Sequence, residues 1–255
     1  MDIIDTHTHL CDSVFDRDRG DVLTRAANCG VKRVIAVSEN MADARRNLEL
    51  ASRYQEILPA AGLYPTVLDR QRADEMSTFI RLHQHKLAGI GEVGLDYWIV
   101  KNEPEREIQA QIFKQFVTLS GELDLPLNIH SRSAGRKVIN LLLEWNARKV
   151  QLHAFDGKAS AALPAVEAGY YFSIPPSVVR SRQKQKLVRQ LPLSCLLLET
   201  DSPVLGPSPQ ERNEPANAVI VLDAISEIKT IPRQQVLEQV AENCHRLYGN
   251  LILDQ

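Results

Sequence analysis

Strand-like and helical segments alternate along the whole chain, and this alternation most limits the folds it can adopt. Short apolar and β-branched runs predict eight strands: Ile3–Thr6, Val31–Val37, Ile57–Leu63, Leu87–Glu92, Leu125–His130, Val150–His153, Tyr170–Ile174 and Cys195–Thr200. Stretches of helical period predict nine helices: Asp21–Cys29, Ala42–Tyr54, Asp74–His85, Glu105–Leu123, Ala134–Ala147, Ser160–Ala168, Arg182–Gln190, Ala216–Lys229 and Arg233–Tyr248. Such alternation is typical of a parallel sheet covered by helices.

The spacing of the strands favours a (β/α)8 barrel over an open doubly wound sheet. Consecutive strand starts are about 27 residues apart, close to the roughly 30 expected when a (β/α)8 barrel of ~250 residues is divided by eight. No linker, low-complexity tract or change in composition divides the 255 residues. We therefore predict a single α/β domain over residues 1–255, a TIM (β/α)8 barrel with its site at the C-terminal ends of the strands. An open doubly wound sheet is the alternative fold.

The composition excludes several classes of protein. Hydrophobic residues make up 44% and charged residues 24% of the chain, which excludes a disordered or coiled-coil protein. The formal net charge of -2 provides no overall basic field, so any contact with nucleic acid must be local. No apolar run approaches the ~20 residues that span a bilayer, and the start of the chain has no leader-like apolar region.

From these features we expect no membrane association, no obligate protein partner and a cytoplasmic location, with the nucleus as the alternative in a eukaryote. The four cysteines are far apart in sequence and form no C-x-x-C pair, which favours reduced thiols.

The first predicted strand ends in the sequence Asp5-Thr6-His7-Thr8-His9. Residues two apart in an extended strand point to the same side, so His7 and His9 can present two imidazoles to one metal ion. Taken alone, the pair is equally compatible with two polar residues at the end of a strand.

Four further strands end in, or lead directly to, a residue of metal-ligand type: Glu92, His130, His153 and Asp201. Each of these residues alone is more often structural than functional. In a barrel, however, the C-terminal ends of all the strands meet at one opening, so the four side chains and the two histidines of the first strand are expected to converge there.

Four imidazoles and two carboxylates are too many for one tetrahedral ion and suit two ions ~3.5 to 4 Å apart. Glu92 lies on the middle strand of the set and is predicted to bridge the two ions. The predicted ligands are His7, His9, Glu92 and Asp201 for one ion, and Glu92, His130 and His153 for the other.

The segment from Gly89 to Gly94 also matches the dinucleotide-binding pattern G-x-G-x-x-G. A phosphate-binding turn leads into a helix and avoids negative charge, whereas this one contains Glu92. We therefore interpret the glycines as allowing close backbone packing where Glu92 points inward.

Basic and aromatic residues near the predicted metal ligands are candidates for substrate binding. Arg132 follows His130 by two residues and could hold a phosphate oxygen or pair with a neighbouring carboxylate. Tyr97 and Trp98 could stack on a base or cap the rim of the barrel. The predicted helix after strand seven carries a basic run, which we interpret as a solvated face: Arg180, Arg182, Lys184, Lys186 and Arg189.

Six motifs in order make the chain similar to the TatD family of metal-dependent deoxyribonucleases, and in particular to its TatD-domain-containing subgroup in animals. They are DTHTHL at 5–10, IGEVGLDY at 90–97, LPLNIHSR at 125–132, LHAFDG at 152–157, LLETDSP at 197–203 and RNEP at 212–215. The resemblance implies a TIM barrel of the amidohydrolase type, two divalent metals and hydrolysis of phosphodiesters. It places the family's metal ligands on the six residues named above and implies a substrate contact at Arg212.

Two motifs depart from the family pattern. Tyr64 replaces the histidine of a Gly-Leu-His-Pro sequence, and Ala154 and Asp156 stand in a sequence that is otherwise His-Cys-Phe-Ser-Gly. Neither change removes a predicted ligand, but both are expected to touch the pocket, and Tyr64 is expected to contact substrate.

These observations predict a two-metal hydrolase of phosphodiesters with DNA as the substrate. In the hypothesised mechanism a hydroxide held between the ions attacks phosphorus, Asp201 accepts or steers its proton, Glu92 bridges the ions and Arg132 holds the phosphate. The ions are Zn, Mg or Mn, because imidazoles favour Zn or Mn whereas the resemblance implies Mg. One alternative is an amidohydrolase-type enzyme acting on a small amide, lactone or phosphoester. Another is a non-catalytic barrel that binds a partner.

Overall fold

Eight parallel strands, each paired with the next in chain order, form the centre of the computed structural model, which describes residues 2–249. The strands are β1 Ile3–Thr8, β2 Val31–Ala36, β3 Ile57–Ala61, β4 Gly89–Gly94, β5 Leu127–His130, β6 Val150–Leu152, β7 Tyr171–Ile174 and β8 Leu196–Leu198. The predicted barrel fold is confirmed, and each predicted strand corresponds to one observed strand. Met1 and residues 250–255 of the predicted domain lie outside the described residues.

Helices follow the strands in the expected alternation. They are α1 Arg19–Asn28, α2 Met41–Arg53, α3 Arg70–His83, α4 Glu103–Leu123, α5 Gly135–Glu144, α6 Ala159–Glu167, α7 Arg182–Gln190, α8 Ala218–Lys229 and α9 Arg233–Tyr248. Within residues 2–249, no helix is both long and apolar enough to cross a membrane.

Local capping explains where two helices differ from the prediction. Helix α3 begins at Arg70 rather than Asp74, because the side chain of Asp69 accepts a hydrogen bond from Arg72 N and caps the first turn. Helix α5 ends at Glu144 rather than Ala147, since Asn146 has a φ of 55°, a left-handed conformation that ends a helix.

Backbone hydrogen bonds just beyond the strand ends connect β8 to β1 and bring the barrel close to closure. Asp201 N donates to His7 O at 2.8 Å, and His9 N donates to Ser202 O at 2.8 Å. The first and last strands therefore lie side by side. His7 and Asp201 consequently lie at the same opening of the barrel, although they are 194 positions apart in the sequence.

Apolar residues form two clusters. The larger lies between the strands and the surrounding helices and includes Val34, Ile90 and Phe116. The smaller joins strand residues such as Ile35 to Tyr248 of α9. The phenol of Tyr248 donates to Oε1 of Gln151 at 2.6 Å, so the last helix reaches polar side chains of the strands.

Close packing between β4 and β5 requires glycine in β4. A Cβ on Gly94 would lie 2.0 Å from His130 O, and one on Gly91 would lie 2.6 Å from the Cβ of Asn128. Strand β4 also continues into a loop rather than a helix, since α4 starts only at Glu103. The interpretation of these glycines as packing residues is confirmed.

Candidate metal centre

The six predicted metal ligands converge at the C-terminal ends of the strands. His7 belongs to β1, Glu92 to β4 and His130 to β5. His9 and His153 directly follow β1 and β6, and Asp201 lies three residues after the end of β8. The side chains of these residues are buried or nearly so, with His9 the most exposed at 14%. The structure thus brings together six side chains whose positions in the sequence extend from His7 to Asp201.

One group of three ligand atoms consists of His7 Nε2, His9 Nε2 and Asp201 Oδ1. The two imidazole nitrogens are 3.3 Å apart, and Asp201 Oδ1 lies 3.3 Å from the first and 3.4 Å from the second. Ligand atoms about 2.0 to 2.1 Å from a tetrahedral ion are about 3.3 to 3.4 Å from one another. The spacing of this group therefore fits a bound ion.

A second group consists of Glu92 Oε1, His130 Nδ1 and His153 Nε2. The carboxylate oxygen lies 2.6 Å from His130 Nδ1 and 2.8 Å from His153 Nε2, and the two nitrogens are 3.3 Å apart. The donor types suit a divalent ion, and the carboxylate distances are those of hydrogen bonds.

Glu92 lies between the two groups. While its Oε1 faces His130 and His153, its Oε2 is 3.5 Å from His9 Nε2 and 3.9 Å from His7 Nε2. Each oxygen of one carboxylate therefore faces a different pair of imidazoles, which is the arrangement that a bridging carboxylate requires.

Electrostatics keep the carboxylates of this site ionised. Burial raises the pKa of Glu92, but the charges and hydrogen bonds of His153 and His130 outweigh burial and hold the pKa well below its usual range. Asp201 is likewise held low by hydrogen bonds from His7 and His9 in spite of its burial. Both groups are therefore in the form that binds metal.

The histidines differ in their protonation. Burial lowers the pKa of His7, but its hydrogen bond to Asp201 and the charges of Asp201 and Glu92 raise it to about 10. Burial and the nearby charge of His7 lower the pKa of His153 to about 4, so this ring is neutral and offers a lone pair.

Two polar side chains that the sequence analysis did not identify orient the imidazoles. Oδ1 of Asn128 lies 2.7 Å from His7 Nδ1, and Oδ2 of Asp96 lies 3.1 Å from His130 Nε2. Asp96 is itself held by the backbone N–H groups of Trp98 and Ile99. Hydrogen bonds of this kind fix the ring orientation of histidine ligands. Asn128 could have been identified from the sequence, because it lies two residues before His130 and therefore on the same side of the strand.

Glu199 is a further buried carboxylate next to the site. It accepts hydrogen bonds from Ala154 N at 2.9 Å and from Ser173 Oγ at 2.5 Å, and burial raises its pKa to about 8. Its Oε2 is 3.9 Å from Nδ1 of His153, a buried nitrogen with no hydrogen-bond partner within the described residues.

A cavity of about 420 Å3 opens over the ligand cluster. Its wall includes Glu39, Tyr64, Arg132, Asp156 and Lys184. The Tyr64 ring contacts the His130 ring edge to face, with centroids 5.1 Å apart. Both departures from the family pattern therefore touch the pocket, as expected.

Unlike Arg132, Tyr97 and Trp98 are not part of the cavity wall. The guanidinium of Arg132 is 5.1 Å from the centre of the Trp98 ring, and this ring is 55% exposed. The Tyr97 ring packs instead against the guanidinium of Arg106 at 4.0 Å. Within residues 2–249, the structure records no carboxylate within 4 Å of Arg132, so the alternative of a structural ion pair is not observed.

Arg212 is held away from the ligand cluster by an ion pair. Its guanidinium donates two hydrogen bonds to Asp18, at 2.9 and 2.5 Å, and a third to Val14 O at 2.9 Å. Its predicted contact with substrate stays a prediction.

The interpretation of the basic run as a solvated face is wrong for one residue. Arg182, Lys186 and Arg189 are exposed, but Lys184 is only 8% exposed and lines the cavity. Lys184 precedes Leu187 and Val188 by three and four residues, so it lies on the buried side of α7 with them.

A parallel eight-stranded barrel with this cluster of histidines and carboxylates at its opening defines the class of barrel metal-dependent hydrolases. Comparison with known families identifies the chain further: residues 4–249 match the family described as TatD related DNase, and the chain belongs to that family.

Individual relatives agree with this assignment. Deoxyribonuclease TATDN3 of Homo sapiens is 43% identical over 261 residues, which cover 98% of this chain and 95% of that protein. The uncharacterized metal-dependent hydrolase YabD of Bacillus subtilis (strain 168) is 31% identical over 254 residues, covering 96% of this chain and 98% of that protein. The crystal structure of YJJV, a TatD homolog from Escherichia coli K12, matches with a TM-score of 0.89 and 27% identity, covering 96% of this chain and 97% of that one.

Proposed function

We propose that this protein is a two-metal phosphodiesterase that hydrolyses DNA. The observation that carries the proposal is the position of Glu92, whose two carboxylate oxygens each face a different pair of imidazoles. The proposed ligands of one ion are His7, His9, Glu92 and Asp201, and those of the other are Glu92, His130 and His153. The similarity to a protein named as a deoxyribonuclease supports DNA as the substrate.

Residues of this chain have distinct roles in the proposed reaction. Bound divalent ions would supply Lewis-acid charge beside the phosphate and lower the pKa of a water molecule. Asp201, at the opening and ionised, accepts or steers the proton of the attacking water. Arg132, whose guanidinium has no carboxylate partner among residues 2–249, holds a non-bridging phosphate oxygen while phosphorus is attacked in line.

The donor set also bears on which ions are bound. Imidazole nitrogens favour Zn and similar ions, whereas Mg prefers oxygen ligands. We propose Zn as the ion retained on purification and Mg or Mn as activating ions. Elemental analysis of the isolated protein, followed by activity measurements after metal exchange, tests this assignment.

The function is tested by incubating the metal-loaded protein with single-stranded and double-stranded DNA at near-physiological salt, beside a panel of small esters, lactones and amides. Glu92→Ala, purified in the same way, is the control for contaminating nuclease. We expect cleavage of DNA by the wild type only. A wild-type protein that is inert toward every DNA but hydrolyses a small amide or lactone would replace the proposal with the amidohydrolase alternative.

A further inference from the structure

The cavity over the ligand cluster has a buried lysine in its wall. Lys184, on α7, is 8% exposed, and its Nζ donates to the backbone oxygen of Ala154 at 2.9 Å. Ala154 directly follows the proposed ligand His153, so the lysine packs against the loop that carries a ligand.

The environment of this ammonium group is unusual for a structural lysine. Buried charges in proteins are normally paired with an opposite charge. Within residues 2–249, the structure records no carboxylate oxygen within 4 Å of Lys184 Nζ, and Ala154 O is its one recorded acceptor. An ammonium has three N–H donors, so two of them are available to a ligand.

The charge of Lys184 nevertheless has support from a distance. Burial is the largest effect and holds the pKa of this lysine below its ordinary value, while the charges of Glu199, Asp201 and Asp156 oppose that lowering. These carboxylates favour the ammonium form without occupying its donors at hydrogen-bond distance.

The position of Lys184 in the barrel complements that of Arg132. Strands β5, β6 and β7 are neighbours, and Arg132 follows β5 while Lys184 follows β7. The loop with His153 follows β6 and lies between them. The two basic residues of the cavity wall therefore come from the segments on either side of the one that carries the proposed ligand His153.

We propose that Lys184 is a specificity-determining residue that donates to an anionic oxygen of the substrate phosphate, so that the cavity selects phosphate esters over neutral amides and lactones. This inference rests on the proposed function and deepens it. A neutral substrate is not attracted by the positive charge of the buried ammonium and offers it only a weak acceptor. An anionic phosphate oxygen both accepts a hydrogen bond from the ammonium and is attracted by its charge.

Binding of inorganic phosphate to the metal-loaded protein tests this assignment directly. Lys184→Met keeps the length of the side chain and removes the charge. Lys186→Met is the matched control, because Lys186 lies two residues away on the same helix and is exposed. We expect the Kd of phosphate, measured by calorimetry, to rise about 10-fold to 100-fold in Lys184→Met and less than about twofold in the control.

Two further measurements separate substrate binding from a structural role. Metal content should be equal in all variants, and Lys184→Met should raise the KM for a single-stranded oligonucleotide more than it lowers kcat. Lys184→Gln keeps an N–H donor for Ala154 O without the charge. This variant is used for the same measurements if Lys184→Met fails to fold. Wild-type phosphate affinity in a folded, metal-loaded Lys184→Met or Lys184→Gln protein would overturn the inference.

The outcomes also separate this inference from the proposed function. If the wild type binds phosphate through Lys184 but cleaves no DNA, the substrate phosphate is not that of DNA, and only the proposed function fails. If the wild type cleaves DNA and its phosphate affinity does not depend on Lys184, only the role of Lys184 fails.

Discussion

Oδ1 of Asn128 lies 2.7 Å from Nδ1 of His7, on the side of the imidazole opposite to the atom that faces Asp201. The amide oxygen accepts a hydrogen bond from Nδ1, so Nε2 is the ring nitrogen directed to the proposed ion. The amide nitrogen of Asn128 donates to Thr6 O at 2.9 Å and to the phenol of Tyr248 at 3.3 Å. The orientation of a proposed ligand in β1 thus depends on a strand and a helix far away in sequence.

This relationship predicts that Asn128→Ala lowers metal affinity about 10-fold to 100-fold, because the ring of His7 loses the group that fixes its orientation. Metal titration followed by calorimetry measures the effect. Tyr248→Phe removes only one partner of Asn128 and should have a smaller effect. Unchanged metal affinity in Asn128→Ala would show that the strand alone orients His7.

The position of Glu92 predicts a difference between two ligand variants. Glu92→Ala should lose more bound metal than His153→Ala, since the first removes a ligand from both proposed ions and the second from one. Elemental analysis after dialysis gives the number of ions per chain. Two ions retained by Glu92→Ala would contradict the bridging assignment.

Asp201 is predicted to act on the attacking water as well as to bind metal. Asp201→Asn keeps the shape of the side chain but removes its capacity to accept a proton, so kcat should fall by roughly 100-fold or more with a modest change in KM. Steady-state kinetics at fixed metal concentration check this. Near-normal turnover would place the base elsewhere, and Glu199 would be the next residue to test.

Arg132 is predicted to hold the phosphate without reading sequence. Arg132→Ala should slow cleavage of all DNA sequences alike, because a phosphate contact carries no base information. It should also reduce the dependence of log affinity on log salt by about 0.7 on single strands. Arg132→Lys should recover only part of the loss, since an ammonium lacks the planar fork of donors. A sequence-dependent loss in Arg132→Ala would point instead to a contact with bases.

The ion pair of Arg212 with Asp18 predicts a pH-dependent contribution to stability. The hydrogen bond and charge of Arg212 lower the pKa of Asp18 below its ordinary value. The stabilisation is therefore complete above the unfolded-chain pKa of about 3.9 and is lost as the pH falls through the lower folded pKa.

Thermal unfolding checks this: the Tm difference between wild type and Arg212→Ala should be present at pH 7 and smaller near pH 3. A variant with the wild-type Tm at pH 7 but weaker DNA cleavage would favour the predicted substrate contact over the ion pair.

Local patterns in the sequence were sufficient to predict the barrel and the convergence of its six candidate ligands. The period of apolar residues identifies strands and helices without knowledge of their packing. A residue at the end of a parallel strand in a barrel has only one edge on which to lie, so His7, Glu92 and His130 could be placed together from position alone.

The tertiary structure decided which polar groups support those ligands and which basic residues face the cavity. Asn128 meets His7, and Asp18 holds Arg212, because pairs distant in sequence are brought into contact by strand packing and loop closure. The burial of Lys184 depends on which face of α7 turns toward the barrel. Such contacts depend on distances of a few ångströms between elements, and a pattern along one chain specifies the elements but not those distances.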